Sequence, residues 1–350
     1  MSGRVVAAGG VVVEECVRVE ALPGVPGVRF GRSVELRVGG PAALEAVAAA
    51  QVGAATRCVG TVGTDPAGAA VRRHLARADV DVTTLLPMPG PTSRMVRHLP
   101  DPVEADVLAA TLAGAASLLG ESVAPEDSLL GEEDEPLLIL PGASWGCGGI
   151  AVEHALARCE PGDVLLLDWS ALDSTGSLVA AAYDLDLQIV ALFAPYPQLP
   201  QELDLRSVDV VITDRQGAAW LADSGEAPGS LCVLVGRRGL SWDGETIVAP
   251  VEELPMTTAA SRADALPERG GSRAHRGRVA LDRAYAVIAG AISGRLACGD
   301  DRPDAAKRAL EVLAAMERAS LPRRGLPPPG GWVRGASPWG WLRLDPEELG

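Results

Sequence analysis

The chain has 350 residues, of which 47% are hydrophobic and 3% aromatic, so it can bury a large and mainly aliphatic core. Its formal net charge of −15 leaves no basic footprint for nucleic acid or an anionic membrane, and we expect neither as a partner. No apolar run reaches about 18 residues without a charge, and no signal peptide is visible. These features predict a cytoplasmic protein without membrane spans.

Cysteine and histidine usage gives no sign of a metal centre. The four histidines are scattered, and no cysteines form a C-x-x-C pair. We therefore expect no metal bound by the protein alone. Most cysteines lie in apolar runs, which predicts reduced, buried thiols. The six are Cys16, Cys58, Cys147, Cys159, Cys232 and Cys298.

Two strands are predicted at the amino terminus. Arg4 to Ala8 is a short apolar run that ends at Gly9-Gly10 and predicts the first strand of a sheet. Val11 to Glu20 follows and predicts an edge strand that carries Glu14 and Glu15. One interpretation of this acidic pair is a solvated edge of the sheet.

Residues 38–68, VGGPAALEAVAAAQVGAATRCVGTVGTDPAG, predict a turn, a helix and a strand. Gly39 and Gly40 allow a tight bend, and Pro41 suits the first position of a helix. Ala42 to Gln51 is almost entirely apolar, which predicts a helix that is buried on most sides. Gly53 ends this helix, Thr56 to Val62 predicts a buried strand, and Gly63-Thr64-Asp65 predicts a turn.

This stretch resembles the amino-terminal signature of the ribokinase-like (PfkB) small-molecule kinases. The pattern GG-x-x-x-x-x-A-x-A-A-A-x-x-G-A, followed by x-G-x-V-G-x-D-x-x-G, agrees in spacing and residue type over about thirty positions. The resemblance implies a three-layer α/β/α fold with a mainly parallel central sheet and a small β-sheet lid over the substrate. A generic Ala-rich helix of another α/β protein is the alternative.

The resemblance also implies a substrate site. Gly39 and Gly40 match its glycine turn, and Glu14 falls where the family has an Asp that holds substrate hydroxyls. A carboxylate there can accept hydrogen bonds from a diol of a sugar or nucleoside. Leu44 replaces the substrate-binding Asn of the family, and a leucine cannot hydrogen-bond a hydroxyl.

Further lid strands are expected at Thr83 to Pro100 and Leu137 to Ser144, beside that of residues 11–38. Residues 101–136 form an insertion between them, with a predicted helix at Asp106 to Leu119. Because lids dimerise in this family, the insertion affects either substrate access or a partner surface. A solvated excursion is the alternative interpretation.

The rest of the chain alternates helices with continuous apolar strands, which is typical of a parallel sheet covered on both faces. The predicted strands are Asp163–Asp168, Gln188–Phe193, Val208–Thr213 and Leu231–Gly236, and the helices are Ile150–Arg158 and Ser174–Tyr183. Leu240 to Val248 predicts a hairpin, and Pro303 to Ser320 an amphipathic helix. We expect a ribokinase-like domain over residues 1–320 and a Pro/Gly/Trp-rich extension, 321–350, that packs on the domain or on a partner.

A kinase of this family needs an Asp as the base, a glycine-rich anion loop, and groups that hold Mg²⁺ on ATP. The family combines the first two in D-T-x-G-A-G-D. A gapless register places this motif at Met256 to Arg262, where only Thr257 and Thr258 match and Arg262 takes the base position. Asp264 takes that position after a two-residue slip.

A second register, counted back from the following helix, places Arg283 to Ala286 in the loop and Ala286 at the base. The nucleotide-binding residues implied by the resemblance are Asp214, in the magnesium motif, and Gly236 and Gly239 of a G-x-[KR]-G turn. The glutamate of the magnesium motif is replaced by Gly217.

Three functions are consistent with these residues. The first is a catalytically impaired pseudokinase with a scaffolding or ligand-sensing role. The second is a divergent sugar or nucleoside kinase that uses ATP, Mg²⁺ and Asp264. The third is a kinase fold repurposed for other chemistry. The pseudokinase needs no cofactor, and we expect it to form a homo-oligomer or hetero-complex through the lid or the tail.

Overall fold

A computed structural model describes residues 3–19, 31–100, 137–142, 149–168, 170–171, 175–194, 205–225, 228–234, 239–248, 281–320 and 343–344. The predicted insertion with its helix and the region of Asp264 lie outside these residues.

The described residues form fifteen strands and seven α-helices, with a short 3₁₀ turn at Leu205–Ser207. The strands are β1 (Arg4–Ala8), β2 (Val12–Val19), β3 (Gly31–Gly39), β4 (Ala55–Gly63), β5 (Val80–Asp81), β6 (Leu85–Met88), β7 (Arg94–Pro100), β8 (Leu137–Leu140), β9 (Val164–Asp168), β10 (Gln188–Phe193), β11 (Val210–Asp214), β12 (Leu231–Leu234), β13 (Gly239–Trp242), β14 (Glu245–Val248) and β15 (Arg343–Leu344). The helices are α1 (Pro41–Gln51), α2 (Pro66–Arg77), α3 (Gly149–Leu156), α4 (Thr175–Asp184), α5 (Arg215–Ser224), α6 (Leu281–Ala297) and α7 (Arg302–Ser320).

The central sheet has the order β14-β13-β12-β11-β10-β9-β1-β4-β5, and β6 also pairs with β4. The pairs from β12 to β5 are parallel, whereas β13 and β14 form an antiparallel hairpin at one edge. Successive residues of the strands face two helical layers: Val5 and Ala7 pack with α1, α2, α6 and α7, and Val6 and Ala8 with α3, α4 and α5. The predicted mainly parallel sheet, covered on both faces, is confirmed.

Helix α1 begins and ends as its sequence predicts, with Pro41 in the first turn and Gly53 in a left-handed conformation (φ 94°) after its end. Its small side chains allow α6 to approach closely. A Cβ atom added at Gly290 of α6 would lie 2.2 Å from the carbonyl oxygen of Glu45. Glycine in α6 therefore sets the distance between these two helices.

A second sheet of five strands has the order β15-β3-β2-β7-β8, and we call it the lid sheet. Strand β2 pairs with β3 on one side and β7 on the other, so the prediction that residues 11–20 form an edge strand was wrong. The neighbouring acidic residues Glu14 and Glu15 suggested a solvent-exposed strand, but Glu14 is 1% exposed because other strands and α6 cover it. The predicted lid strand at 83–100 is also shorter than expected, since β6 pairs with β4 in the central fold and only β7 joins the lid sheet.

The carboxyl-terminal segment reaches the lid sheet. Arg343 and Leu344 pair antiparallel with Arg37 and Leu36 of β3. Among the helices that the structure describes, none is long and apolar enough to cross a bilayer.

We predict that Gly290→Ala destabilises the protein by about 1–3 kcal/mol, because the new methyl group collides with backbone of α1. This clash outweighs the gain of about 1 kcal/mol that alanine brings to a helix interior. The midpoint of urea unfolding measures the effect. Gly239→Ala is the control, since its added Cβ would lie 3.3 Å from its nearest atom. Equal midpoints for both variants would contradict the packing argument.

Candidate functional site

The candidate site lies where two glycine turns meet at the carboxyl ends of β1 and β9. Gly40 has φ 88°, and a Cβ atom there would lie 2.3 Å from the carbonyl oxygen of Gly10. Only glycine permits this approach. The turn thereby places the end of β3 and the start of α1 directly against β1. Ligands of parallel α/β sheets bind at such carboxyl ends, so this junction is the floor of a candidate cleft.

Glu14 of β2 lies on the inner face of the lid sheet, above this floor. Its Oε1 accepts a hydrogen bond from Nε of Arg97 in β7 at 2.9 Å, and its Oε2 accepts one from Nη1 of Arg283 in α6. The side chains of Glu14, Arg97 and Arg283 are 1%, 7% and 6% exposed. We call these three residues the ion triad.

The ion triad keeps Glu14 ionised. Burial alone would raise the pKa of Glu14, but the positive charges of Arg283, Arg97 and nearby Arg37 outweigh burial and hold it below its usual value. Arg37 is itself paired with Glu35 through two hydrogen bonds of 3.1 and 2.9 Å. The inner face of the lid sheet is therefore charged. On it, the buried carboxylate of Glu14 in β2 is bonded by Arg97 of β7 and by Arg283 of α6.

The predicted substrate residues are thus partly brought together. Gly39, Gly40 and Glu14 do lie at one junction, and a Cβ on Gly39 would lie 2.9 Å from Cβ of Glu14. However, each carboxylate oxygen of Glu14 already accepts a charged hydrogen bond from an arginine. Leu44 is 3% exposed and belongs to the hydrophobic core, so it offers nothing polar to the cleft.

Two further carboxyl groups lie beneath the glycine turns. Asp168 ends β9, where its Oδ1 accepts a hydrogen bond of 2.5 Å from the backbone N–H of Ser170. The Ser170 hydroxyl donates a hydrogen bond to Oδ1 of Asp168. It also accepts a 2.5 Å hydrogen bond from the N–H of Gly10. Glu45 of α1 is fully buried. Burial raises the pKa of Asp168 to about 6, despite the hydrogen bonds from Ser170 that lower it.

The predicted nucleotide-binding residues are not gathered into one described group. Asp214 ends β11, and its Oδ1 accepts a hydrogen bond of 2.8 Å from the N–H of Gly217, which caps α5. Gly239 starts β13 and pairs with Val248. Gly236 and the predicted catalytic residue Asp264 lie outside the described residues. In the parts of the chain that are described, no group of three or more His, Cys, Asp or Glu side chains could hold a metal ion.

The second register for the catalytic motif is wrong. It placed Arg283 to Ala286 in a glycine-type loop, but these residues lie within α6. Ala286 packs in the hydrophobic core at 1% exposure, so it does not stand at the base position of a cleft. Helix α6 begins at Leu281, before the residues that this register assigns to the loop. The gapless register falls on residues outside the described parts.

Sequence reasoning missed the partners of Glu14 and the acidic pair of Glu45 and Asp168. Arg97 and Arg283 are separated from Glu14 by 83 and 269 residues, so no local pattern connects them. The sequence does mark Glu45 as unusual, because it is the one charged residue of the mainly apolar helix α1. Such a residue has either a buried partner or a proton.

Comparison with known proteins agrees with this architecture. Residues 9–118 match the model of the pfkB family carbohydrate kinases. No curated protein sequence matches the chain significantly. Among solved structures, a ribokinase from Thermotoga maritima superposes with a TM-score of 0.60 at 15% identity, and 93% of this chain covers 94% of that one.

This is a ribokinase-like fold. A ribokinase from Cryptococcus neoformans in complex with ADP gives a TM-score of 0.61 at 18% identity, covering 92% of this chain and 95% of that one. A nucleoside kinase from Methanocaldococcus jannaschii gives 0.56 at 13% identity, covering 92% of each chain. The resemblance to the ribokinase-like kinases that the amino-terminal motif indicated is confirmed, and it extends in shape over nearly the whole chain.

We predict that Glu14→Gln destabilises the fold by about 3–5 kcal/mol, since it leaves two buried arginines without their shared carboxylate. Because the pKa of Glu14 is depressed in the folded state, its contribution is present above its ordinary value of 4.5 and is lost as the pH falls. Denaturant titrations at pH 7 and at lower pH measure both effects.

Glu15→Gln is the matched control, because it makes the same change at the next residue of β2. Glu15 pairs at 2.8 Å with Arg94, whose side chain is 50% exposed, so we expect a loss below about 1 kcal/mol. Similar losses for both variants would show that the ion triad is not a buried structural link.

Proposed function

We propose that this ribokinase-like protein has lost efficient phosphoryl transfer and acts as a pseudokinase with a ligand-sensing or scaffolding role. The observation that carries the proposal is the ion triad. Arg283 and Arg97 hold the carboxylate that the family resemblance assigns to substrate hydroxyls. Because this carboxylate is 1% exposed and its charge is already compensated by two arginines, a sugar or nucleoside would reach it only by opening these contacts.

The energetic argument follows from the strength of these bonds. Each of these hydrogen bonds joins two charged groups, and a hydrogen bond to a charged group contributes about 1.5–3 kcal/mol. A diol that displaced both arginines would also leave two buried cations without their counter-charge. Binding of a neutral sugar at Glu14 is thus opposed by the fold itself.

The residues expected to perform the chemistry point in the same direction. Leu44 removes a substrate amide, Gly217 removes a magnesium ligand, and Arg262 cannot accept a proton if the gapless register holds. Loss of both a general base and the anion-binding donors typically costs on the order of 10⁴-fold in rate. Several such losses in one cleft support a non-catalytic role.

The second candidate is a divergent ATP-dependent sugar or nucleoside kinase in which Asp264 is the base. It is favoured by Asp214, which keeps a carboxylate at the end of β11 where the resemblance places a group near the nucleotide. ATP would supply the transferred phosphoryl group, and Mg²⁺ would neutralise its charge. In this candidate Gly236 and Gly239 flank the nucleotide.

We expect titration calorimetry with Mg–ATP, followed by an ADP-release assay against pentoses, hexoses and nucleosides, to show no turnover above the buffer rate. Turnover with any of these substrates would contradict the pseudokinase proposal. Asp264→Asn is the diagnostic variant: the kinase candidate requires its activity to fall by at least about 10²-fold. Lid-sheet variants with an intact Asp264, such as Glu15→Gln, serve as the control.

We also propose that the chain assembles with a second copy through the outer face of the lid sheet. Val34, Leu138 and Leu140 are 59%, 52% and 44% exposed and lie on this face, opposite the ion triad. Exposed aliphatic side chains on one face of a sheet favour a protein contact. A hetero-complex through this face, or through the carboxyl-terminal extension, is the alternative.

Sedimentation velocity of the full chain is expected to show a dimer that Leu138→Glu converts to a monomer, because a charge would be buried in the contact. Tyr183→Glu is the control, since Tyr183 is 68% exposed and lies on α4, away from the lid sheet. A strictly monomeric wild-type protein would contradict the homo-oligomer.

A further inference from the structure

Glu45 and Asp168 contain buried oxygen atoms that the ion triad does not explain. Both residues are 0% exposed. Within the described part of the chain, neither oxygen of Glu45 has a hydrogen-bond partner, and Oδ2 of Asp168 has none either. Buried polar atoms are nearly always satisfied in folded proteins, so three orphaned carboxyl oxygens need a physical explanation.

The two carboxyl groups lie in the same layer of the fold. Val164 and Leu166 of β9 face the layer of α1 and α6, and Asp168 follows them on the same face of the strand. Its carboxyl group packs on Gly9, where an added Cβ would lie 1.9 Å from Oδ2. Glu45 is enclosed between the sheet and α6, whose Gly290 touches its backbone. Burial first, and then the negative charge of Asp168, raise the pKa of Glu45.

Two ionised carboxylates cannot share such a site without compensation. Desolvation and mutual repulsion both disfavour the doubly charged state, and the pair must take up either a cation or a proton. Among the described residues, no third acidic, histidine or cysteine ligand joins the pair in a metal-binding group. The two arginines of α6, Arg283 and Arg295, bond Glu14 and Asp300 instead. A proton is the smallest ion that satisfies the geometry.

We propose that the buried pair of Glu45 and Asp168 holds one proton at neutral pH, which Glu45 carries as a neutral carboxylic acid in the same layer as the Asp168 carboxylate. The proton comes from water during folding and returns to water when Glu45 ionises. The pair lies between α1 and the end of β9, next to the Ser170–Gly10 contact at the floor of the cleft. The proposal stands independently of whether the protein transfers phosphate.

Other ionisable groups face this layer from the elements that pack against α1 and β9. Cys58 of β4 and Tyr285 of α6 pack in the same hydrophobic cluster as α1, and Glu35 and Arg37 of β3 and Arg283 and Arg295 of α6 lie on neighbouring elements. Glu35 and Arg37 pair with each other, Arg295 pairs with Asp300, and Arg283 pairs with Glu14. Among the described residues, burial and then the charge of Asp168 raise the pKa of Glu45 well above 4.5.

The buried proton has a defined effect on stability. Below pH 4.5, the ordinary value for glutamate, both the folded and the unfolded chain keep the proton on Glu45. Above it the unfolded chain loses this proton and the folded chain retains it, so the unfolded state is favoured as the pH rises. The folding equilibrium constant should fall by up to about tenfold per pH unit from this group until Glu45 ionises.

The test compares unfolding of the full-length wild type and Glu45→Gln between pH 5 and pH 8, above the ordinary pKa of 4.5 at which the unfolded chain loses this proton. We expect the midpoint of the wild type to decline with pH, and Glu45→Gln to lose this part of the decline and to be the more stable of the two at pH 8. Glu45→Met, which keeps the volume and removes the polar atoms, should behave in the same way. Glu153→Gln, at an exposed position of α3, should retain the wild-type slope.

Infrared spectroscopy of the folded wild type gives a readout that does not depend on unfolding. The carboxylic-acid C=O stretch should be present at pH 7 and absent in Glu45→Gln. Absence of this band in the wild type, or an unchanged pH slope in both Glu45 variants, would overturn the proposal. So would a rise in midpoint with added Mg²⁺ or Ca²⁺ that Glu45→Gln abolishes, since a cation would then compensate the pair.

Discussion

The carboxylate of Glu14 is the point at which the lid sheet is attached to the central fold. One of its oxygens is bound by a neighbouring lid strand through Arg97, and the other by Arg283 of α6. Because all three side chains are buried, removing the carboxylate would leave cations in a medium that cannot solvate them. A buried ion pair therefore links the lid sheet to α6 of the central fold.

This attachment requires a precise floor beneath it. The backbone turns at Gly10 and Gly40 pack so closely that no side chain fits between them, and Gly290 lets α6 pack directly on α1. These contacts bring Arg283 within reach of the lid sheet and also enclose Glu45 and Asp168. Close packing of small residues thus accounts for two unusual features together: an ion triad above the floor and an acidic pair within it.

The two features differ in how they deal with buried charge. In the ion triad, opposite charges compensate one another and keep Glu14 ionised. In the pair of Glu45 and Asp168, burial and a second carboxylate raise the pKa of Glu45, and the proposed proton on Glu45 would neutralise it. Both features place buried carboxyl groups of the protein itself at the floor of the cleft.

Much of the fold could be predicted from local patterns. Continuous apolar runs such as Gln188 to Phe193 predict buried parallel strands, and the Gly-Gly-Pro start of α1 predicts a turn followed by a helix. Asp243-Gly244 predicts the β13–β14 hairpin, and both residues do adopt positive φ angles of 49° and 90°. These features depend on the backbone preferences and burial of neighbouring residues, so the order of residues alone determines them.

The chemistry of the site depended on contacts between distant parts of the chain. Glu14 looked like a solvated edge residue or a substrate ligand, because its sequence neighbours do not include Arg97 or Arg283. One register of the catalytic motif placed Arg283 in a loop. Sequence patterns define the ends of helices only to within about 2–4 residues. The sequence by itself determined the sheet, the helices and the glycine turns. Only the tertiary structure decided which charges meet, since the energy of a buried charge depends on partners that the fold brings from up to 269 residues away.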